Sequence, residues 1–420
     1  MSASTPPPAI ASSRKWYQAI GPGLITACVV IGPGSILTSS KVGAANGYSM
    51  IWVILVSVIF MSVFMTMSAR IGVVSDKSCG QLVTERVGRW FAILIGIGVF
   101  FISAAYQFGN NLGVKSAFDS FENIFPENLT PWLVVGFNAL SITFLFTFKN
   151  IYRAIERLMM CFVALMLISF FINLSFAKPD LLELVKGIFP GKGGLTDISV
   201  LGLIGTTFVT SAAYYQAYLS QQKGWNAADL KTGMIDARVG TVLMALITLM
   251  IMSTAAAELA GQKLSHVKDV ASGLEPAFGT KGKVIFCMGL FAAAYSSFLV
   301  NSMIAGYILS DGLGLGYKAT DLAPKVLTTV VLLTGMSVAL IVSGTGFNPI
   351  PAIVAAQAVT VIAAPLLGGV LLWLSNDRTV MGDHRNGPLL NVLGGMGLLL
   401  LVAMAAYIAV VSIPQKLESL

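Results

Sequence analysis

The chain is 420 residues long, 56% of them hydrophobic and 11% charged, against roughly a quarter charged in a soluble domain. A water-soluble globular fold is therefore excluded. The net charge of +7 calls for no nucleic-acid partner, because the basic residues sort onto loops between apolar segments, where they set membrane orientation.

In chain order, a polar stretch from Met1 to Arg14 with the run Pro6-Pro7-Pro8 comes first. Residues 1–16 read as a disordered cytoplasmic N-terminus, and no small-residue cleavage site follows a short apolar core, so a cleaved signal peptide is not expected. At about 20 residues per span, apolar segments at 17–46, 49–69, 91–114, 132–148, 156–177, 199–220, 234–257, 284–309, 324–343, 350–374 and 388–412 predict eleven transmembrane helices. The predicted fold class is an all-α membrane protein, with the lipid bilayer as its solvent. Two inverted five-helix repeats are expected at 17–177 and 199–374, joined by an extracellular loop at 178–198 and followed by an eleventh helix and the C-terminus at 375–420. Alternate loop assignment from an inside N-terminus gives the cytoplasm 16 of the 26 basic residues, every arginine among them. The positive-inside rule thus predicts a cytoplasmic N-terminus and an extracytoplasmic C-terminus in a prokaryotic inner membrane. No pattern assigns an oligomeric state.

Cys28, Cys79, Cys161 and Cys287 show no paired spacing, and His266 and His384 both fall in loops. Neither a disulfide framework nor a thiolate metal cage is indicated, and no buried Ser/His or Asp/Asp arrangement supports an intramembrane enzyme. Two spans interrupt themselves. In the first, Ile31-Gly32-Pro33-Gly34-Ser35 puts a proline between glycines at mid-span, where Pro33 lacks an N–H and clashes with the preceding turn. In the sixth, Gly205-Thr206-Thr207-Phe208-Val209-Thr210-Ser211-Ala212-Ala213 is rich in small, hydroxyl and β-branched residues. Broken helices opening two five-helix halves point to an inverted-repeat transporter with its binding site at the midplane. The competing explanation is a proline kink used only for packing.

The runs Gly21-Pro22-Gly23, Gly32-Pro33-Gly34-Ser35 and Gly43-Ala44-Ala45-Asn46-Gly47-Tyr48, with Ala69-Arg70-Ile71-Gly72-Val73-Val74-Ser75-Asp76-Lys77 after the second span, resemble the NRAMP divalent-metal transporter family. So do Ile235-Asp236, Ser296-Ser297, Gln357, Pro365 and Met381-Gly382. The resemblance implies the leucine-transporter fold with an optional eleventh or twelfth helix. The departures fall on the family's ligands. Its first-helix Asp-Pro-Gly-Asn aligns with Gly32, Pro33, Gly34 and Ser35, and its sixth-helix Met-Pro-His-Asn with Val209, Thr210, Ser211 and Ala212. A second family histidine aligns with Gln216, third-helix acids with Ser103 and Tyr106, and a tenth-helix Gln with Ala363.

Removing the carboxylate forfeits an attraction of about 4 kcal/mol per unit charge at 4 Å, and soft metals need S or N donors. What remains is a pair of half-helix N-termini, which favour anions. The expected cargo is therefore a small anion, bicarbonate first and a small carboxylate or amino acid next. Expected donors are Ser35, Thr206, Thr207, Thr210 and Ser211, with Tyr106, Gln107, Asn110, Asn111, Tyr214 and Gln216 from the third and sixth spans. For each hydroxyl the alternative is a bond back to its own helix. No resident cofactor is expected; coupling to Na+ or H+ is, with a candidate sodium site at Ala293, Ser296 and Ser297. Asp236 and Asp311 read as gating or structural ion pairs, with Arg238 or loop lysines as the expected partners. The alternative functions are a divalent cation (Mg2+ or Mn2+) transporter of the NRAMP type and a non-transporting membrane sensor.

Overall fold

The computed structural model describes residues 20–119, 121, 129–148, 150–191, 198–345 and 363–412. The expected N-terminal tail, Gln357 and the first part of the tenth expected span lie outside them. The described chain is helical throughout: α1 (Pro22–Val30), α2 (Pro33–Asn46), α3 (Ile51–Val74), α4 (Cys79–Arg86), α5 (Arg89–Asp119), α6 (Thr130–Thr147), α7 (Ile151–Ala177) and α8 (Leu181–Lys186). There follow α9 (Ile198–Thr207), α10 (Thr210–Gln222), α11 (Leu230–Glu258), α12 (Val267–Leu313), α13 (Leu322–Thr345), α14 (Ala363–Leu374), α15 (Arg378–Met381) and α16 (Pro388–Tyr407).

Among the described residues, eight helices are long and apolar enough to cross a membrane, and α1 with α2, bent by 59°, makes a ninth. The sixth expected span is the pair α9 and α10, two short helices meeting at Phe208-Val209. The tenth is described only from Ala363. The loop expected at 178–198 carries α8. Gly279, at φ 65°, divides α12 into a short leading helix and the span itself.

The first break has a local cause. Gly32 is extended at the N-cap of α2, and Pro33 takes the first helical position, where a missing N–H costs nothing. Every residue of α1 is buried, as is every residue of α10 from Thr210 to Ser220. These two half-helices are enclosed by α3, α7, α11 and α12. Small residues permit the approach: a Cβ on Gly240 of α11 would run into the Gly23 backbone of α1. We call the face where α1 begins the first face, and the face where α2 ends the second.

Candidate functional site

At the first break the backbone leaves the helix for Ile31 and Gly32. The Ile31 N–H donates to the Ala27 carbonyl at 3.2 Å and the Gly32 N–H to the Val30 carbonyl at 3.2 Å. The α1 carbonyls therefore end at the break, the negative end of that half-helix. Ser297 of α12 donates from Oγ to the Val29 carbonyl at 3.1 Å. A Cβ on Gly32 would lie 2.9 Å from Ser297 Oγ and 3.4 Å from Asn110 Oδ1 of α5. Where the family resemblance assigns a carboxylate, this chain brings two neutral oxygens against the backbone. Gly34 is exposed with open space around it, while Pro33 and Ser35 are buried.

At the second break Val209 is half-buried and extended, and Thr210, Ser211 and Ala212 form the buried first turn of α10. Thr206 and Thr38 join the breaks, their hydroxyls 3.1 Å apart. Each also bonds back to its own helix, Thr206 to the Gly202 carbonyl at 2.9 Å and Thr38 to that of Gly34 at 2.9 Å. Thr207 Oγ1 is buried without a partner. Thr38 was missed from sequence, although three residues after Ser35 is the next position on the same helix face.

The other expected residues scatter. Gln107 is fully buried beside Asn110, whose Nδ2 lies 3.4 Å from Gln107 Oε1, and Asn111 accepts from Asn138 Nδ2 at 2.8 Å. Tyr106 is 38% exposed, one turn before the buried Asn110 on α5. Tyr214 is buried among the tyrosines of α10, its ring 6.1 Å from that of Tyr218. Of the three residues of the candidate sodium site, Ser297 reaches α1 through Val29 as above, while Ser296 donates back to the Ala293 carbonyl of its own helix at 3.2 Å.

Gln216 belongs to a different assembly, at the first face. Its Oε1 accepts from Thr26 at 2.5 Å and its Nε2 donates to Asp236 at 3.2 Å. Asp236, wholly buried, also accepts the Gly21 and Gly23 N–H groups at 2.7 Å each, capping α1. Asp311 does the same for α4: it accepts from Ser78 Oγ at 2.8 Å, Gly80 N–H at 3.0 Å and Tyr218 of α10 at 2.6 Å. Among the described residues neither acid forms an ion pair with an arginine or a lysine, contrary to expectation; the N-termini of α1 and α4 supply the positive partner instead. Arg70 donates to the His384 and Arg385 carbonyls and to Asn386, clamping the α15–α16 loop, and Lys223 pairs with Glu156 beside Gly21. In the same loop region, the Arg86 guanidinium, 2.5 Å away, and Thr379 hold the Asp377 carboxyl below the usual carboxylate range. Among the described residues, no group of three or more His, Cys, Asp or Glu side chains gathers to hold a metal ion.

Comparison with known proteins bears on the cargo. The chain is 23% identical over 403 residues to the divalent metal cation transporter MntH of Aeromonas hydrophila, covering 94% of this chain and 96% of that protein. It is 24% identical over 405 residues to MntH of Deinococcus radiodurans, covering 94% and 90%. The structure of the Eremococcus coleocola manganese transporter, in complex with an aromatic bis-isothiourea substituted compound, superposes with a TM-score of 0.80 at 18% identity, over 98% of this chain and 89% of that one. MhsT in complex with L-phenylalanine superposes at 0.59 and 14% identity, over 94% and 99%. The fold is thus the leucine-transporter-like all-α architecture expected. The small-anion cargo, bicarbonate above all, is corrected: relatives alike over nearly their whole length are named cation transporters. The anion expectation weighed half-helix N-termini alone, whereas each break also presents the carbonyl end of the preceding half-helix. A family model described as natural resistance-associated macrophage protein-like matches residues 23–411, and this integral membrane chain belongs to that Nramp family.

Proposed function

We propose that the chain is a transporter rather than an enzyme, and that it carries a divalent metal cation, Mg2+ or Mn2+, across the membrane by alternating access around its two breaks. The all-oxygen surroundings of Gly32 carry the assignment. The carbonyl end of α1, Asn110 Oδ1 and Ser297 Oγ meet there, and hard cations take oxygen ligands. Without a carboxylate at position 32, the ion keeps much of its water shell, which Mg2+ does readily. Names of relatives matched end to end support the same class of cargo. The first face is cytoplasmic in this proposal, because Arg70, Arg86, Arg89, Arg153, Arg157, Arg378 and Arg385 lie on segments at that side. A coupling Na+ at Ala293, Ser296 and Ser297, or a coupling H+, completes it.

Uptake into proteoliposomes, read with an entrapped magnesium- or manganese-sensitive dye against empty liposomes, tests this. Saturable uptake of one of the two ions is expected, reduced about tenfold in Asn110→Leu, the loss that about 1.4 kcal/mol of ion binding produces. Running the assay with and without Na+, and across a pH gradient, identifies the coupling ion. Absence of saturable uptake of either cation refutes the proposal.

A further inference from the structure

Away from both breaks, α2, α7, α11 and α12 enclose a small cavity lined by Ser40, Asn173 and Thr254 among mostly apolar neighbours such as Phe170, Ile251 and Phe286. About 10 Å3 of it is open to the centre of a water molecule, close to what one water needs. Ser40, Asn173 and Thr254 are 0%, 1% and 5% exposed, and Ser40 Oγ, Asn173 Oδ1 and Thr254 Oγ1 have no hydrogen-bond partner. The Asn173 amide is already oriented, since its Nδ2 donates to the Ser169 carbonyl at 2.9 Å. That leaves Oδ1 as a pure acceptor.

We propose that this cavity binds one water molecule, hydrogen-bonded to Ser40, Asn173 and Thr254, which ties α2 to α7 and α11. Each of the three oxygens gains a partner: the water donates to Asn173 Oδ1 and accepts from the Ser40 and Thr254 hydroxyls. Buried polar groups are rarely left unpaired, and cavities that stay empty are apolar. A hard cation fits less well, because no carboxylate lines the space and three side-chain oxygens are half the six that such an ion takes. The bridge holds the half-helix that begins at Pro33 against the scaffold helices, so it acts on the break without touching it.

Isosteric removal of one partner reports the water by the sign of its effect. Thr254→Val and Ser40→Ala each lower the Tm of the detergent-purified protein by about 2 °C or more if the water is bound. The double variant then loses less than the sum, because both changes cost the same water. Thr254→Ser, which keeps the hydroxyl, retains the wild-type Tm. In a dry cavity each apolar change removes an unpaired polar group, so an unchanged or raised Tm in Thr254→Val overturns the proposal. A wild-type Tm raised by Na+ or K+ over choline at equal ionic strength, with the rise absent in Thr254→Val, overturns it in favour of an ion. A high-resolution map showing one peak within hydrogen-bonding distance of all three oxygens supports it, and an empty cavity refutes it.

Discussion

Gly32 concentrates the chemistry of this protein in one missing side chain. With no Cβ there, Ser297 Oγ and Asn110 Oδ1 close on the backbone; a Cβ would stand 2.9 Å from the serine oxygen. Gly32→Ala is therefore expected to overpack the break and lower stability by about 1–3 kcal/mol, and Ser297→Ala in the same chain to restore part of it, both read by thermal unfolding in detergent. Additive losses in the double variant would mean that the two residues do not meet. Asp236 concentrates charge in the same way. Its carboxylate accepts two backbone N–H groups and one amide, so Asp236→Ala leaves those donors buried and unpaired, at about 1–3 kcal/mol. Asp236→Asn, which keeps one acceptor, is expected to be milder.

At the scale of elements, half-helices and their caps set the behaviour. The α10 segment carries Tyr214, Tyr215 and Tyr218, all buried, with the Tyr215 and Tyr218 rings stacked 5.9 Å apart. Tyr218 ties α10 to Asp311 and thereby to the start of α4. Tyr218→Phe keeps the ring packing and removes that hydrogen bond, so unfolding should come earlier by the roughly 1.5–3 kcal/mol of a bond to a charged group. The junction of α4 with α15 offers a pH test. Asp377 is held below its usual range by Arg86 and Thr379. A group whose folded pKa is depressed stabilises above its unfolded value, near 4, and that contribution fades as pH falls toward the folded value. For a pair with side chains 19% and 16% exposed, about 1 kcal/mol is expected. Wild type should exceed Asp377→Asn in Tm at pH 7, and the gap should narrow at pH 3; a gap that widens on acidification would contradict the sign.

Across the whole molecule the two faces differ. Toward the first face α1 is buried along its length and α10 from Thr210 to Ser220, and Asp236, Asp311 and Arg70 fasten α1, α4, α10 and the α15–α16 loop. Toward the second face Gly34 is exposed and Thr38, Lys41 and Thr206 are half-buried. Among the described residues, those next to the first break are exposed only on the side of the second face. In a Cys161→Ala background, which removes the exposed native thiol, Gly34→Cys should react with a membrane-impermeant maleimide added on the side of the second face. Ala213→Cys, in the buried turn of α10, should stay protected. Equal labelling of both would contradict the asymmetry.

Sequence alone determined that the chain is an all-α membrane protein interrupted at Gly32-Pro33, because a mid-span proline removes a helix hydrogen bond and clashes with the preceding turn. Local chemistry suffices for that, and for the hydrophobic spans. The second break, at Phe208-Val209, was legible only as a weak helix, since none of its residues forbids helical backbone. What the breaks present to a ligand was decided by tertiary structure. Ser297 lies 265 residues from Gly32 in the chain and Asn110 lies 78 away, and neither periodicity nor a motif states that their oxygens meet at one α-carbon. The same holds for Asp236, which sequence reading expected in an ion pair with Arg238 or loop lysines: its partners are the Gly21 and Gly23 amides, more than 200 positions away. Reading the sign of the site from helix N-termini alone failed for this reason. The balance between amide ends and carbonyl ends depends on how half-helices are aimed in space, and only packing fixes that aim.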